Sequence, residues 1–275
     1  MTAWSIESIN WSRFDKNLVD PVLVRLVKAA ALVEYNGATY TDYLCNVFAG
    51  DADFQAKAKV WGREEVQHGQ ALAEWAKLAD PDFDFQHAFD RFTSGYSVPV
   101  DVEASVRGSR SGELIARCMV ETGTSSFYTA MSKASKEPVL AEIAHLIAAD
   151  EFRHYKLFYD TLKSYLLKEQ IGRLGRAKAA VSRIRELADD ELAYAYYASN
   201  VPESVPYDRT ACSNAYLGRI YPHYDPEIIR RSNAMILKAV GLTPHGRLNS
   251  MLTAGAFRQL SRTSAGRSRL RAYVP

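Results

Sequence analysis

Six residues of this 275-residue chain have the types and spacing that bind metal ions. They are Glu34, the pair Glu65 and His68 in a Glu-x-x-His run, Glu121, and the pair Glu151 and His154 in a second such run. A Glu and a His three positions apart on a helix project from one face. Glu34 and Glu65 are 31 positions apart, and Glu121 and Glu151 are 30 apart. That interval suits two residues at equal height on the arms of a helical hairpin. If the four stretches are helices that pack together, four carboxylates and two imidazoles meet in one core. Buried without compensation, those carboxylates are prohibitively costly. Two divalent ions neutralise them, and carboxylate with imidazole suits iron or manganese.

A third Glu-x-x-His, Glu142 to His145, falls outside this set. Glu142 precedes Glu151 by nine residues, about 900° of helix, so it faces the other way. Its face carries Arg153, Lys156 and Asp160 and is expected outside, whereas Ala144, Ile147, Ala148, Tyr155 and Phe158 share the face of Glu151 and His154. Around Glu34 the same face shows Val27, Ala30, Ala31, Gly37, Ala38, Thr41 and Cys45, poor company for a solvated glutamate. Glu64 and Asp150 directly precede the two Glu-x-x-His glutamates. Both are placed to accept the outer N–H of a ligating imidazole across helices, with Arg153 as a partner for one of them. Tyr128 and Tyr155 lie near the same faces. Core packing with a hydrogen-bonded hydroxyl is the first expectation for both, ahead of a radical or proton-relay role.

The elements that must position these residues are legible as 3.6-residue apolar periods between breaks. One helix is expected from about Pro21 to Phe48 and a second from about Asp53 to Leu78. A connection of about thirty residues follows, with some local structure. A third helix is expected from about Gly112 to Lys133, and a fourth from Pro138 to about Lys168. This connectivity predicts an all-α protein, a ferritin-like four-helix bundle with a long crossover between helices two and three. We expect residues 1–170 to form the bundle and residues 171–275 a helical extension packed on it. Within the extension, helices are expected over Lys178–Ala198, Glu227–Val240 and Leu248–Leu260, with a linker from Asn200 to Tyr207.

Composition narrows the classes further. The chain is 47% hydrophobic and 24% charged, which excludes wholesale disorder. A net charge of +2 speaks against a nucleic-acid partner. No run approaches the roughly 20 apolar residues of a membrane span. The first residues, Met1 to Glu7, lack the basic and apolar stretches of a secretory leader. Three cysteines, Cys45, Cys118 and Cys212, without a Cys-x-x-Cys, exclude a disulfide scaffold and a four-cysteine site. A reduced, cytoplasmic protein is expected. After Glu227 there are nine basic residues and no acidic ones, from Arg230, Arg231, Lys238, Arg247 and Arg258 to Arg262, Arg267, Arg269 and Arg271. They form either a solvated tail or a docking surface for an acidic partner.

The segments Trp61-Gly62-Arg63-Glu64-Glu65-Val66-Gln67-His68-Gly69 and Ile147-Ala148-Ala149-Asp150-Glu151-Phe152-Arg153-His154 resemble the ferritin-like di-iron superfamily. Within it they are most similar to the soluble acyl-carrier-protein desaturases. The resemblance covers roughly Pro21 to Leu167. It implies a non-haem site of two iron ions, or a manganese–iron pair, that activates O₂. It makes Glu34, Glu65, His68, Glu121, Glu151 and His154 the ligands and sets Thr124 beside the oxygen site as a catalytic residue. It also implies an acyl substrate on an acidic acyl carrier protein, an external electron donor such as ferredoxin, and a homodimer. Small residues on the first helix (Ala30, Ala31, Gly37, Ala38) either make room for that chain or pack helices closely. The same ligands serve a hydroxylase, an aldehyde-deformylating oxygenase or an N-oxygenase. Rubrerythrin-like or ferritin-like iron oxidation and peroxide removal is a further alternative, and a metal-free helical interaction module is another.

Overall fold

The computed structural model describes residues 4–186 and 190–270, and among them there is no strand. The helices of the bundle are α1 (Pro21–Tyr35), α2 (Gly37–Val47), α3 (Ala52–Ala79), α5 (Arg110–Ala134) and α6 (Pro138–Glu169), with α4 (Phe85–Gly95) inside the crossover. Side chains start each one that carries the cluster by accepting from backbone N–H groups that lack an intrahelical partner. Asp20 accepts from Val22 N, Asp51 from Phe54 N and Ser109 from Gly112 N. Glu137 accepts from both Val139 N and Leu140 N. Proline at the first helical position of α1 and α6 costs no hydrogen bond there.

The single helix expected from Pro21 to Phe48 is broken at Asn36. Asn36 O accepts from Thr39 N at 3.0 Å, and its side chain accepts from Thr39 Oγ1 at 2.8 Å. Asn36 and Gly37 are both weak helix formers. The break lies where α3 comes closest: a Cβ on Gly37 would sit 2.4 Å from Glu65 Cβ. On α3, a Cβ on Gly62 would meet Thr41 Oγ1 at 1.8 Å, and one on Gly69 would meet Tyr35 N at 2.4 Å. Gly37 therefore serves close packing. Of the other small residues on this stretch, Ala31 is buried and Ala38 is exposed.

α5 packs along α6, α1 and α2 pack along α3, and α3 faces α6. The apolar core has two parts. On α3 one part ends at Trp61 and the other begins at Ala71; on α5 one ends at Met119 and the other begins at Phe127; on α6 one ends at Ala148 and the other begins at Tyr155. The candidate ligands occupy the gap on every helix, so they form a polar layer between two apolar ones.

The remaining helices are α7 (Arg173–Glu186), α8 (Asp190–Asn200), α9 (Arg209–Ile220), α10 (Pro226–Ala239) and α11 (Arg247–Leu270). α8 packs on α1 and α4, α7 and α10 pack on α5, and α9 packs on α8. The sequence predicts one helix over Lys178–Ala198; α7 and α8 cover it up to Glu186 and from Asp190, and residues 187–189 lie outside the described residues. The sequence misses α9, whose buried side chains are only Cys212, Tyr216 and Ile220, with Ser213, Asn214, Gly218 and Arg219 as well as partly buried Ala215 and Leu217 between them. Part of the basic run is engaged with the bundle: half-buried Arg231 donates to Thr129 Oγ1 and lies over the Phe152 ring, and exposed Lys238 lies over Tyr159. Arg271 lies outside the described residues, as do the side chains of Arg262, Arg267 and Arg269. No described helix is long and apolar enough to cross a membrane. Cys45, Cys118 and Cys212 are free.

The glycines of the bundle make a paired prediction. Gly69→Ala forces α1 and α3 apart and lowers unfolding free energy by about 1–3 kcal/mol in denaturant titrations. Gly123→Ala on α5, where a Cβ meets nothing within 4 Å, raises it by up to about 1 kcal/mol.

Candidate metal centre

α1, α3, α5 and α6 bring the six residues together, none more than 9% exposed. They form two overlapping groups with donor atoms within 4.8 Å of one another: Glu34, Glu65, His68 and Glu151, then Glu65, Glu121, Glu151 and His154. Glu65 and Glu151 belong to both groups. His68 Nδ1 is 3.4 Å from Glu34 and 3.3 Å from Glu151, and His154 Nδ1 is 3.0 Å from Glu65.

The outward imidazole nitrogens are engaged across helices. His68 on α3 meets Asp150 of α6 through Nε2 at 3.1 Å, and His154 on α6 meets Glu64 of α3 through Nε2 at 2.7 Å. With Nε2–H donating to a carboxylate, each Nδ1 turns a lone pair to the cluster. Arg153 donates to both Asp150 and Glu64 and links them. Two indoles cover the imidazoles. Trp4 stacks on His68 with centroids 5.9 Å apart and donates to Asp150 at 2.8 Å, while Trp61 lies edge-on to His154.

Thr124 and Tyr128 close the cluster from α5. Thr124 Oγ1 donates to Glu151 at 2.5 Å and Tyr128 Oη donates to Glu34 at 2.6 Å. Tyr155 instead donates to Met235 O on α10. The third Glu-x-x-His is peripheral: His145 is exposed and Glu142 pairs with Arg13. Three residues at the site have no sequence signal of function. Trp4 precedes the first helix in an irregular segment, Gly123 reads as an ordinary helix residue, and Glu191 reads as part of an acidic helix start. Gly123, Glu191, Glu34, Thr124, Phe127 and Tyr216 are among the residues around a cavity of about 300 Å³ beside the cluster.

Electrostatics shows what the cluster lacks. Burial, then the neighbouring Glu151 and Glu34, raises Glu65 to about 8. Burial and Glu151 raise Glu121 well above the carboxylate range. Burial lowers both imidazoles, but Asp150, Glu151 and Glu34 outweigh it at His68, and Glu151, Glu64 and Glu65 outweigh it at His154, so both are raised. Burial also raises Glu151, but the adjacent His154 and His68 imidazoles hold it well below the usual value. Glu65 Oε1, Glu121 Oε1, Glu151 Oε1 and His154 Nδ1 are buried without a hydrogen bond. Inward-facing atoms without partners, on carboxylates and an imidazole, fit a pair of metal ions.

The rubrerythrin family model matches residues 114–206, which span α5 to α8 and contain Glu121, Glu151 and His154. The match covers part of the chain, and the buried cluster fits the di-iron type of site. No curated protein matches the chain.

The raised groups set a pH dependence. Between the unfolded glutamate value of 4.5 and about 8, the metal-free folded protein holds more protons than the unfolded chain. Its stability therefore falls as pH rises through that window. The lowered groups Glu151, Asp150 and Glu64 act at the acid end, where stability is lost as pH falls. Melting temperatures of chelator-treated protein should decline across the window, and iron loading should remove the decline.

Proposed function

We propose that this protein is a di-iron oxidoreductase that uses O₂ to attack an unactivated C–H bond of an organic molecule held beside the cluster. The observation that carries this reading is the cavity of about 300 Å³, which reaches Glu34 and Thr124. Glu34, Glu65, His68, Glu121, Glu151 and His154 hold the metals, with Fe/Fe as the first assignment and Mn/Fe as the variant the donors also permit. The bound pair supplies O₂ reduction and an oxidant strong enough for a C–H bond.

The chain's own residues do the rest. Asp150 and Glu64 fix the tautomer and orientation of the two imidazoles, and Arg153 fixes Asp150 and Glu64. Trp4, Trp61 and the apolar layers exclude water. Thr124 holds a proton at Glu151, on the cavity side of the cluster, where oxygen chemistry needs one. Tyr128 holds another on Glu34. The finer reading rests on the desaturase resemblance alone: an acyl substrate on an acidic carrier protein, of which a cavity of about 300 Å³ admits only a short chain, electrons from a ferredoxin, a homodimer and a cytoplasmic setting.

A second reading is iron oxidation or peroxide removal in the manner of rubrerythrins, favoured by the family match over residues 114–206. Such chemistry has no use for an organic-substrate cavity.

Metal analysis comes first. The wild-type chain should bind close to two iron ions, and Glu65→Ala/Glu151→Ala should bind none while remaining helical. A folded wild-type protein that holds no metal after anaerobic ferrous loading would sink the oxidoreductase reading. Thr124→Val should keep its iron yet slow single-turnover O₂ uptake by about 100-fold. An unchanged rate would leave Thr124 a structural hydroxyl. Rapid peroxide consumption by reduced protein, with no dependence on an organic substrate, would select the rubrerythrin-like reading.

A further inference from the structure

The cavity beside the cluster has a shape and a polarity that narrow the substrate. Its floor is one face of α5, formed by Val120, Gly123, Thr124 and Phe127 at positions i, i+3, i+4 and i+7. A glycine inside a helix costs about 1 kcal/mol relative to alanine. Unlike Gly37, Gly62 and Gly69, Gly123 has no neighbour within 4 Å of the Cβ it lacks. Helix packing does not require this glycine, and its missing side chain leaves room next to Thr124. The volume of about 300 Å³ is that of about ten water molecules, hence of a molecule with about ten non-hydrogen atoms. A long fatty acyl chain needs more. The wall is apolar and aromatic, with Phe127 and Tyr216 stacked at 5.6 Å.

Polarity enters at Glu191 of α8. This carboxylate lines the cavity and also a smaller one of about 150 Å³ behind it. Its Oε1 accepts from Tyr40 Oη at 2.6 Å, and Tyr40 Oη is 3.0 Å from Tyr96 Oη. Its other oxygen accepts no hydrogen bond among the described residues. Arg183 stands on the same wall and balances the charge without forming an ion pair with Glu191 among the described residues. A carboxylate anchored by a phenol in an apolar wall selects a head group that donates hydrogen bonds.

We propose that the substrate is a small, mainly apolar molecule of about ten non-hydrogen atoms, with an amine or hydroxyl head bound by Glu191 and a body lying along α5 beside Thr124 and Glu34. This rests on the reading of the cluster as an oxidising di-iron centre. Glu191 is a specificity residue in this arrangement, and Gly123 sets the size of the site.

Calorimetric titration of the full chain, before and after iron loading, tests it with three probes: 3-phenylpropylamine, 3-phenylpropan-1-ol and 3-phenylpropionate. The amine and the alcohol should each bind once per chain, about tenfold or more tighter than the carboxylate. Gly123→Leu, confirmed as folded by circular dichroism and thermal melting, should weaken both by at least about tenfold. Glu191→Gln should erase the preference for the amine over the carboxylate. Absence of amine and alcohol binding by folded wild-type protein overturns the proposal. So does equal or tighter binding of the carboxylate, or unchanged binding by Gly123→Leu. Two bound irons with no amine or alcohol binding would remove this substrate class and leave the di-iron reading. Amine binding by a chain that takes up no iron would support the pocket and refute the oxidising centre on which its role as a substrate site depends.

Discussion

Four carboxylates and two imidazoles lie in one buried layer, and the bundle is organised around tolerating them. Each buried ion costs several kcal/mol in a protein interior, while a whole domain is stable by only about 5–15 kcal/mol. The layer is therefore a burden on folding that bound cations would offset. Its outer side is satisfied by protein: Asp150 and Glu64 take the imidazole nitrogens, Arg153 joins them, and Trp4 donates to Asp150. Its inner side is not, since three carboxylate oxygens and one imidazole nitrogen face one another without hydrogen bonds. That asymmetry fits a metal centre, and apolar clusters lie above and below it.

The glycines show how the same bundle is closed on one side of this layer and open on another. Gly37, Gly62 and Gly69 let α1 and α2 ride directly on α3, leaving no space for even one methyl group. Gly123 on α5 faces emptiness instead. Access to the cluster therefore runs along α5, and the walls of that access come from the helices that follow the bundle. α7, α8 and α9 contribute Arg183, Glu191 and Tyr216. The extension thus lines the cavity beside the cluster as well as covering the bundle. The rubrerythrin family match runs past α6 through α8 and so includes Glu191 with half of the candidate metal donors.

Much of the candidate site was legible in the sequence because its signals are local. Glu-x-x-His sets two donors on one helical face, and the intervals of 31 and 30 positions set equal heights across two hairpins. The same register points Glu64 and Asp150 outward past the imidazoles, and it turns Glu142 and His145 away. The caps at Asp20, Asp51, Ser109 and Glu137 likewise act within one helical turn. The four-helix bundle follows from these short-range rules and from the burial that the carboxylates demand.

What the sequence did not disclose depends on contacts between distant elements. The break at Asn36 arises where α3 presses on Gly37, a contact across 28 residues to Glu65. Trp4 matters because folding lays it on His68 and Asp150, and Glu191 matters because α8 returns to α1 and brings it toward Tyr40. α9 buries so little that its apolar period is lost among polar residues. Helical periodicity and ligand spacing are one-dimensional, so the sequence by itself determined the bundle and its polar layer. Which side of that layer is open, and what its cavity can hold, are properties of packed surfaces, and only the tertiary structure decided them.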